Sequence, residues 1–215
     1  MGFFYSLIYL SFSMMEYVGI IIAFITGVIG PIAVMYFKNR LDRTQKPDMV
    51  METLHVSELV NAKIEDIREE YGADRVWVTQ FHNGGNFYPT GKSMAKFSII
   101  YETVGLKVSS VQGNFHNIPV NLFSKSINEL LKNDVIRIPD YKDETIATFG
   151  LKYIAEDTGC KSGYLFAIKS IDDKFIGTLG LDFTKKKVKL NDEEITNLKL
   201  RATSLGGVLM THLSH

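Results

Sequence analysis

Cysteine is nearly missing from this sequence. Cys160 stands alone, which excludes an internal disulfide framework and any zinc cluster built from cysteines. A charge excess of either sign is missing too. Lys plus Arg and Asp plus Glu number 24 each, for a formal net charge of zero. Nothing in that balance points to DNA, RNA or another polyanion as a partner. No Asn-x-Ser/Thr sequon occurs, in keeping with a domain that does not face a secretory lumen. Nucleophile elbow, P-loop, HExxH and Rossmann fingerprint are all absent, so no catalytic signature marks the chain as an enzyme. Its 215 residues suffice for one ordinary domain plus an anchor, and are too few for two full domains.

Charge is also absent locally. Residues 1–37 carry one charged side chain, Glu16, whereas everything after Phe37 is richly charged. From Tyr17 to Phe37 the sequence runs uncharged for about 21 residues. As a helix that is about 31 Å, enough to cross a hydrocarbon core of roughly 30 Å. A secretory signal would open with basic residues, and Met1–Glu16 has no Lys or Arg. Lys38, Arg40, Arg43 and Lys46 follow the run directly, so the positive-inside rule places the C-terminal part in the cytoplasm, as a single-pass protein of the lipid bilayer. Pro31, after Gly30, should kink the span by removing a backbone donor. The apolar stretch Phe3–Met15 is short for a second span, and its role stays open. This divides the chain into an anchor (1–38), a linker (39–50) and a cytoplasmic domain (51–215).

Within the domain, Val56, Leu59, Val60, Ile64, Ile67 and Tyr71 recur at helical spacing, so the pattern predicts a helix from Thr53 to about Tyr71, closed by Gly72. Arg75–His82 reads as a strand with Val76, Val78 and Gln80 on one face and Trp77, Thr79 and Phe81 on the other. Asn83-Gly84-Gly85-Asn86 reads as a turn or flexible loop. Met94–Val104 is a second strand. After a loop come a helix over about Asn121–Asn133, a strand Val135–Ile138, and a helix Thr145–Thr158. Gly163–Lys169 and Lys174–Phe183 form a β-hairpin. The second of these strands is apolar at Phe175, Leu179, Leu181 and Phe183, while its other face, with Ile176, Thr178, Gly180 and Asp182, is mostly small or polar. Asn191 with Glu194 is a capping box opening a helix to about Leu213, striped by Ile195, Leu198, Ala202, Leu205 and Leu209. Hairpins bracketed by helices imply an α/β (α+β) fold with a mostly antiparallel sheet.

The C-terminal stretch, with Phe175-Ile176-Gly177-Thr178-Leu179-Gly180-Leu181 as central strand and Asn191-Asp192-Glu193-Glu194 as helix start, resembles the C-terminal half of a GAF domain. The resemblance extends over roughly Met51–Leu213. It implies a GAF-like sheet flanked by helices, and a sensory or small-molecule-binding role. It also implies a homodimer through the first and last helices of the domain. Specialised subfamilies lack their key residues here: no Asn-Lys partner for a cyclic nucleotide, no cysteine in the helix expected for a bilin, and too few cysteines for sulfoxide reduction. No cofactor is identified. No kinase, cyclase or DNA-binding unit accompanies the domain, which leaves a ligand-free interaction protein as the alternative function. One small domain on one anchor also resembles phage- or bacterium-encoded proteins.

The most unusual local sequence is Phe81-His82-Asn83-Gly84-Gly85-Asn86-Phe87-Tyr88. As a ligand site, a strand end would deliver His82 and Asn83 to a pocket mouth. Gly84 and Gly85 would let backbone N–H groups approach, and Phe87 and Tyr88 would form a lid. As plain structure, the glycines make a turn and the aromatics fill the core. Lys96 and Ser98 on the next strand, His116 in its loop and Tyr164 complete the expected ligand-binding set. Two histidines with Asp140 would offer zinc donors, but no short His-x-His spacing joins them, and no metal site is expected. Cys160 beside Lys161 is either an activated thiol or, more in line with its strand-start position, a buried inert one.

Overall fold

The computed structural model describes residues 17–19, 22–44, 49–87, 89–143 and 151–213. It divides into two compact units, with the boundary between Met51 and Glu52.

In the N-terminal unit, a helix over Tyr17–Arg40 is long and apolar enough to cross a membrane. The expected irregularity before Pro31 takes the form of a π-helical turn, Ile25–Ile29, in which the Gly30 N–H reaches back to the Ile25 carbonyl. An α-helix, Gly30–Thr44 (α1), continues it. Such a turn is one of the ordinary ways a helix accommodates a residue that cannot donate.

The second unit begins within helix α2, Met49–Tyr71, which starts four residues before the expected Thr53. Its end is as read, with Gly72 in the left-handed region at φ +59°. Six strands follow: β1 Arg75–Asn86, β2 Ser93–Val104, β3 Ile118–Pro119, β4 Val135–Ile138, β5 Ser162–Lys169 and β6 Phe175–Phe183. They form one sheet in the order β3-β2-β1-β6-β5-β4, and every pairing is antiparallel. The short β3 was not anticipated. Helices α3 (Ser124–Asn133), α4 (Leu151–Asp157) and α5 (Asp192–Leu213) complete the unit. Most of the expected Thr145–Leu151 portion of α4 lies outside the described residues.

Asn83–Asn86 is a correction. These residues continue β1 instead of turning, because Asn83 pairs with Ala95 and Asn86 with Ser93 across an irregularity of the ladder. Gly85, at φ +101°, sits at that irregularity. The turn lies further on, where the Phe87 N–H donates to the Lys92 carbonyl and Gly91 N–H to Phe87. Cross-strand pairing outweighs local turn preference.

The sheet has two unlike faces. On one, Val76 and Val78 of β1, Tyr164, Phe166 and Ile168 of β5, and Leu179, Leu181 and Phe183 of β6 pack against the apolar stripes of α2 and α5. The two helices run antiparallel across it, tied by Lys63 Nζ to Ser204 Oγ (3.1 Å) and by Arg201 to Glu70 (2.6 Å). The capping box forms as read: Asn191 N–H donates to Glu194 and Glu194 N–H to Asn191 Oδ1, at 2.7 and 2.9 Å. The close approach of α5 to β5 requires a glycine, since a Cβ on Gly206 would lie 2.1 Å from the Lys169 carbonyl oxygen. The other face carries a smaller cluster from α3, β4 and β5, with Leu130, Ile136, Ile138 and Leu165, and beside it a cavity.

Candidate functional site

Period-2 alternation decides what this second face presents. Arg75, Trp77, Thr79 and Phe81 of β1 all point to it. Opposite them in register, Thr178, Gly180 and Asp182 of β6 present a row that is small or polar. Two aromatic rings lie flat on glycines. A Cβ on Gly180 would come within 2.1–2.6 Å of Trp77 ring atoms, and one on Gly163 within 2.9 Å of the Tyr141 hydroxyl. Between these rings sits Asp182.

The result is a half-open cavity of about 80 Å³. Aromatic side chains make one wall: Phe81, Phe97 and Phe123 stack edge-to-face in sequence, with centroids 6.4 and 5.4 Å apart. Helices α3 and α4 close another wall with Ile127, Leu130, Ile154 and Ala155, and the loop after β2 adds Val111 and Phe115.

One end of the cavity is polar and charged. Arg75 is 1% exposed. Its Nε donates to Asp182 Oδ2 at 2.8 Å, its Nη2 lies 2.7 Å from the same oxygen, and Nη1 donates to the Ser109 carbonyl at 3.0 Å. The Trp77 indole N–H donates to the same Asp182 oxygen at 3.0 Å. Glu102 stands behind, 3.9 Å from Arg75 Nε and 3% exposed in its side chain. It accepts from the Val111 and Gln112 N–H groups (2.9 and 3.1 Å) and the Ser110 hydroxyl. Arg75 and Glu102 thus fix the loop that forms the cavity's side wall. The desolvation of Arg75 and Glu102 is offset because the other Arg75 nitrogen and the Glu102 oxygens find partners of their own.

Cys160 and Tyr141 border the same end. The Cys160 thiol donates to the Ser162 carbonyl at 3.1 Å. Burial, then the Asp182 carboxylate, pushes its pKa up, so it stays protonated and weakly nucleophilic. Burial followed by Asp182 likewise raises the Tyr141 phenol well above its ordinary value. Among the described residues its hydroxyl makes no hydrogen bond.

Of the ten residues expected from the sequence, none of the nine that the structure describes lines this cavity. His82, Lys96 and Ser98 are brought together, but on the sheet face that carries Val78 and Gln80. His82 Nε2 lies 2.9 Å from Ser98 Oγ, which accepts the Asn117 N–H at 2.8 Å. Lys96 pairs with His82 across the ladder and lies over Gly84, whose absent side chain leaves room for it. Asn83 Oδ1 accepts from Ser93 Oγ at 3.2 Å. Gly85, Phe87 and His116 are exposed, and Tyr88 lies outside the described residues. Tyr164 belongs to the helix-covered core. It is 2% exposed, and its hydroxyl donates to the Val188 carbonyl and accepts the Leu190 N–H, at 3.1 and 2.9 Å.

Arg75, Trp77, Asp182 and Tyr141, which line the cavity, are not among the residues expected from the sequence. The signal was the mostly small or polar second face of a strand whose first face is wholly apolar. In a strand buried on both sides, polar residues imply a partner or a cavity.

The chain has a GAF-like fold, a six-stranded antiparallel sheet with two long helices on one face and a cavity under shorter elements on the other. Solved structures with this architecture include a far-red cyanobacteriochrome photoreceptor, with 16% identity and a TM-score of 0.59 over 85% of this chain and 99% of that one. The phycocyanobilin-bound GAF domain of a cyanobacterial phytochrome has 17% identity and a TM-score of 0.58, covering 84% and 94% of the two chains. The blue-light absorbing form of the Thermosynechococcus elongatus PixJ GAF domain has 14% identity and a TM-score of 0.58, over 76% and 89%. No protein-family model and no curated protein matches the sequence.

Proposed function

We propose that this protein is a single-pass, membrane-anchored sensory module that binds a small molecule in the cavity between the sheet and helices α3 and α4. The carrying observation is the buried Arg75–Asp182 pair in an otherwise apolar wall. Charged groups placed on a binding face give orientation and specificity, whereas the α2–α5 face achieves its packing without them. The span over Tyr17–Arg40 and the basic residues that follow it support anchoring with the domain in the cytoplasm.

The phycocyanobilin of a structural neighbour is not the ligand this cavity suits. At about 80 Å³ it has roughly half the ~150 Å³ that takes up benzene in an engineered cavity, so at most one ring is the size to expect, held only partly enclosed through the cavity's open side. The module binds and does not catalyse: its thiol is held protonated, and Asp182 Oδ2 already accepts from Arg75 and Trp77. A second reading, dimerisation through the outer surfaces of α2 and α5, is favoured by exposed Leu54, Leu59 and Leu200. The two are compatible, since a dimer across these helices would carry a signal from the sheet.

The test is mass spectrometry of the full chain released from micelles, under native and then denaturing conditions. A mass excess that disappears on denaturation supports the binding reading and gives the ligand's mass. A bare mass, with no thermal stabilisation by any compound in a one-ring fragment library, refutes it.

A further inference from the structure

The charges at the cavity's polar end point to one class of ligand. Arg75, Asp182 and Glu102 are one cation and two carboxylates, with side chains 1%, 10% and 3% exposed. The nearby Asp74–Lys185 pair (2.9 Å) is neutral in itself. The polar end therefore carries a net charge of −1 in a water-poor setting, where repulsion of an anion is strong. Asp182 Oδ2 accepts from Arg75 Nε and the Trp77 N–H, with Arg75 Nη2 2.7 Å from the same oxygen, which leaves Oδ1 as the oxygen for a further donor; the Cys160 thiol borders the same carboxylate. That thiol's proton is directed to the Ser162 carbonyl. The Tyr141 hydroxyl beside it can accept, and the faces of Trp77 and Tyr141 attract a cation.

Resting on the binding reading above, we propose that the cavity takes a small aromatic cation. Its apolar ring lies against Phe81, Phe97 and Phe123, and its protonated nitrogen donates to Asp182 Oδ1 and the Tyr141 oxygen. A carboxylate or phosphate ligand is excluded by the same charge count, although an arginine lines the site.

Three probes of similar size and different charge test this on the full chain in micelles: benzylamine, benzyl alcohol and benzoate. Calorimetric titration at pH 7 should find benzylamine at least about tenfold tighter than benzyl alcohol, the margin expected of a charge-assisted hydrogen bond, with benzoate unbound. Asp182→Asn should erase the preference for the amine. Should that variant fail to fold, Ile127→Trp, which fills the cavity from α3, should abolish binding of both amine and alcohol. Benzylamine binding that survives Ile127→Trp overturns the proposal, as does equal affinity for amine and alcohol. Benzoate binding as tightly as the amine overturns the charge argument and leaves the binding reading standing. If none of the three binds, the proposal falls, and the binding reading is decided by the native mass and the fragment library.

Discussion

Gly180→Ala is the sharpest probe of the cavity's floor. The Trp77 ring rests directly on Gly180, so an added Cβ would fall 2.1 Å from Cζ2, 2.2 Å from Cε2 and 2.6 Å from Cη2. No rotation of a methyl group relieves contacts of that length, and β6 cannot withdraw because β1 and β5 pair with it on either side. The indole must swing away, and with it goes the 3.0 Å hydrogen bond from Nε1 to Asp182. Overpacking of this kind costs about 1–3 kcal/mol, and loss of a hydrogen bond to a charged acceptor about 1.5–3 kcal/mol. The two share a cause and do not add fully, so a loss of roughly 2–4 kcal/mol is expected. For a domain of this size that lowers Tm by roughly 5–15 °C. Trp77 is the sole tryptophan, so its fluorescence reports its own displacement. The variant should show a changed emission maximum in the native state and a lower urea midpoint. Native emission matching the parent, with a midpoint within about 0.5 kcal/mol of it, would refute the placement of the ring and the site built on it.

Adjacent glycines on α5 should behave in opposite ways. Gly206→Ala sets a Cβ against the Lys169 carbonyl at 2.1 Å and should cost about 2–4 kcal/mol, whereas Gly207→Ala meets nothing within 4 Å and should gain roughly 0.5–1 kcal/mol of helix preference. Urea midpoints of the two variants check this, and equal effects would contradict the packing of α5 on β5. Glu65 should shape the acid limb of stability. The Arg68 guanidinium, and after it the Thr103 hydroxyl, holds its pKa down from 4.5 to about 2. A depressed folded value means the contribution is complete above the unfolded pKa and lost as pH falls through the folded one, here between about pH 4.5 and 2. With the side chain 41% exposed, screening keeps the effect below roughly 1 kcal/mol. Glu65→Gln should flatten urea midpoints across that window, and a curve superimposable on the parent's would count against the interaction. Cys160 should react with a disulfide reagent far more slowly than a free thiol at pH 8 and at the ordinary rate in urea, followed by absorbance; fast native labelling would mean that its thiol is neither buried nor held protonated.

Legibility in the sequence followed the strength of local patterning. Helix α5 was readable to its cap because Asn191 and Glu194 act within one turn, and its stripe repeats over the whole helix. The β5–β6 hairpin was readable because alternation and a polar turn coincide. The reading of Asn83–Asn86 as a turn failed because pairing with Ala95 and Ser93 is a long-range fact that four polar and glycine residues do not encode. The short β3 is invisible for the same reason, its two residues being strand only because Lys96 and Phe97 pair with them. At the candidate site, the conspicuous residues of the sequence are His82 and the glycines beside it, and His82 sits on the Val78 face. The residues that border the cavity are a tryptophan, an arginine and an aspartate that look ordinary one at a time. What joins Arg75 to Asp182 is the β1–β6 register, a separation of 107 residues.

The two faces of the sheet differ in what stability requires of them. Against α2 and α5, the larger core cluster is hydrophobic from Val56 to Leu209, and the two buried hydroxyls of β5 with that alternation, on Ser162 and Tyr164, are satisfied by backbone groups. That face alone supplies a continuous core for the unit. Across the sheet, an arginine and two carboxylates are held almost fully out of water, and a cavity stands where side chains of modest size would fit. Replacing a buried ion pair with well-packed apolar residues is often neutral or stabilising by about 1–4 kcal/mol, and filling a cavity is commonly stabilising as well. Stability alone therefore offers no reason to keep Arg75 and Asp182 beside an unfilled space. Their ties do have a consequence for the fold, since Arg75 also holds Ser109 and Glu102 holds residues 110–112. Any group that competes for Asp182 from within the cavity acts on the same arginine that fixes this loop. Under the proposed binding role, the charge cluster would couple occupancy of the cavity to the position of its wall, an arrangement that a purely structural domain does not need.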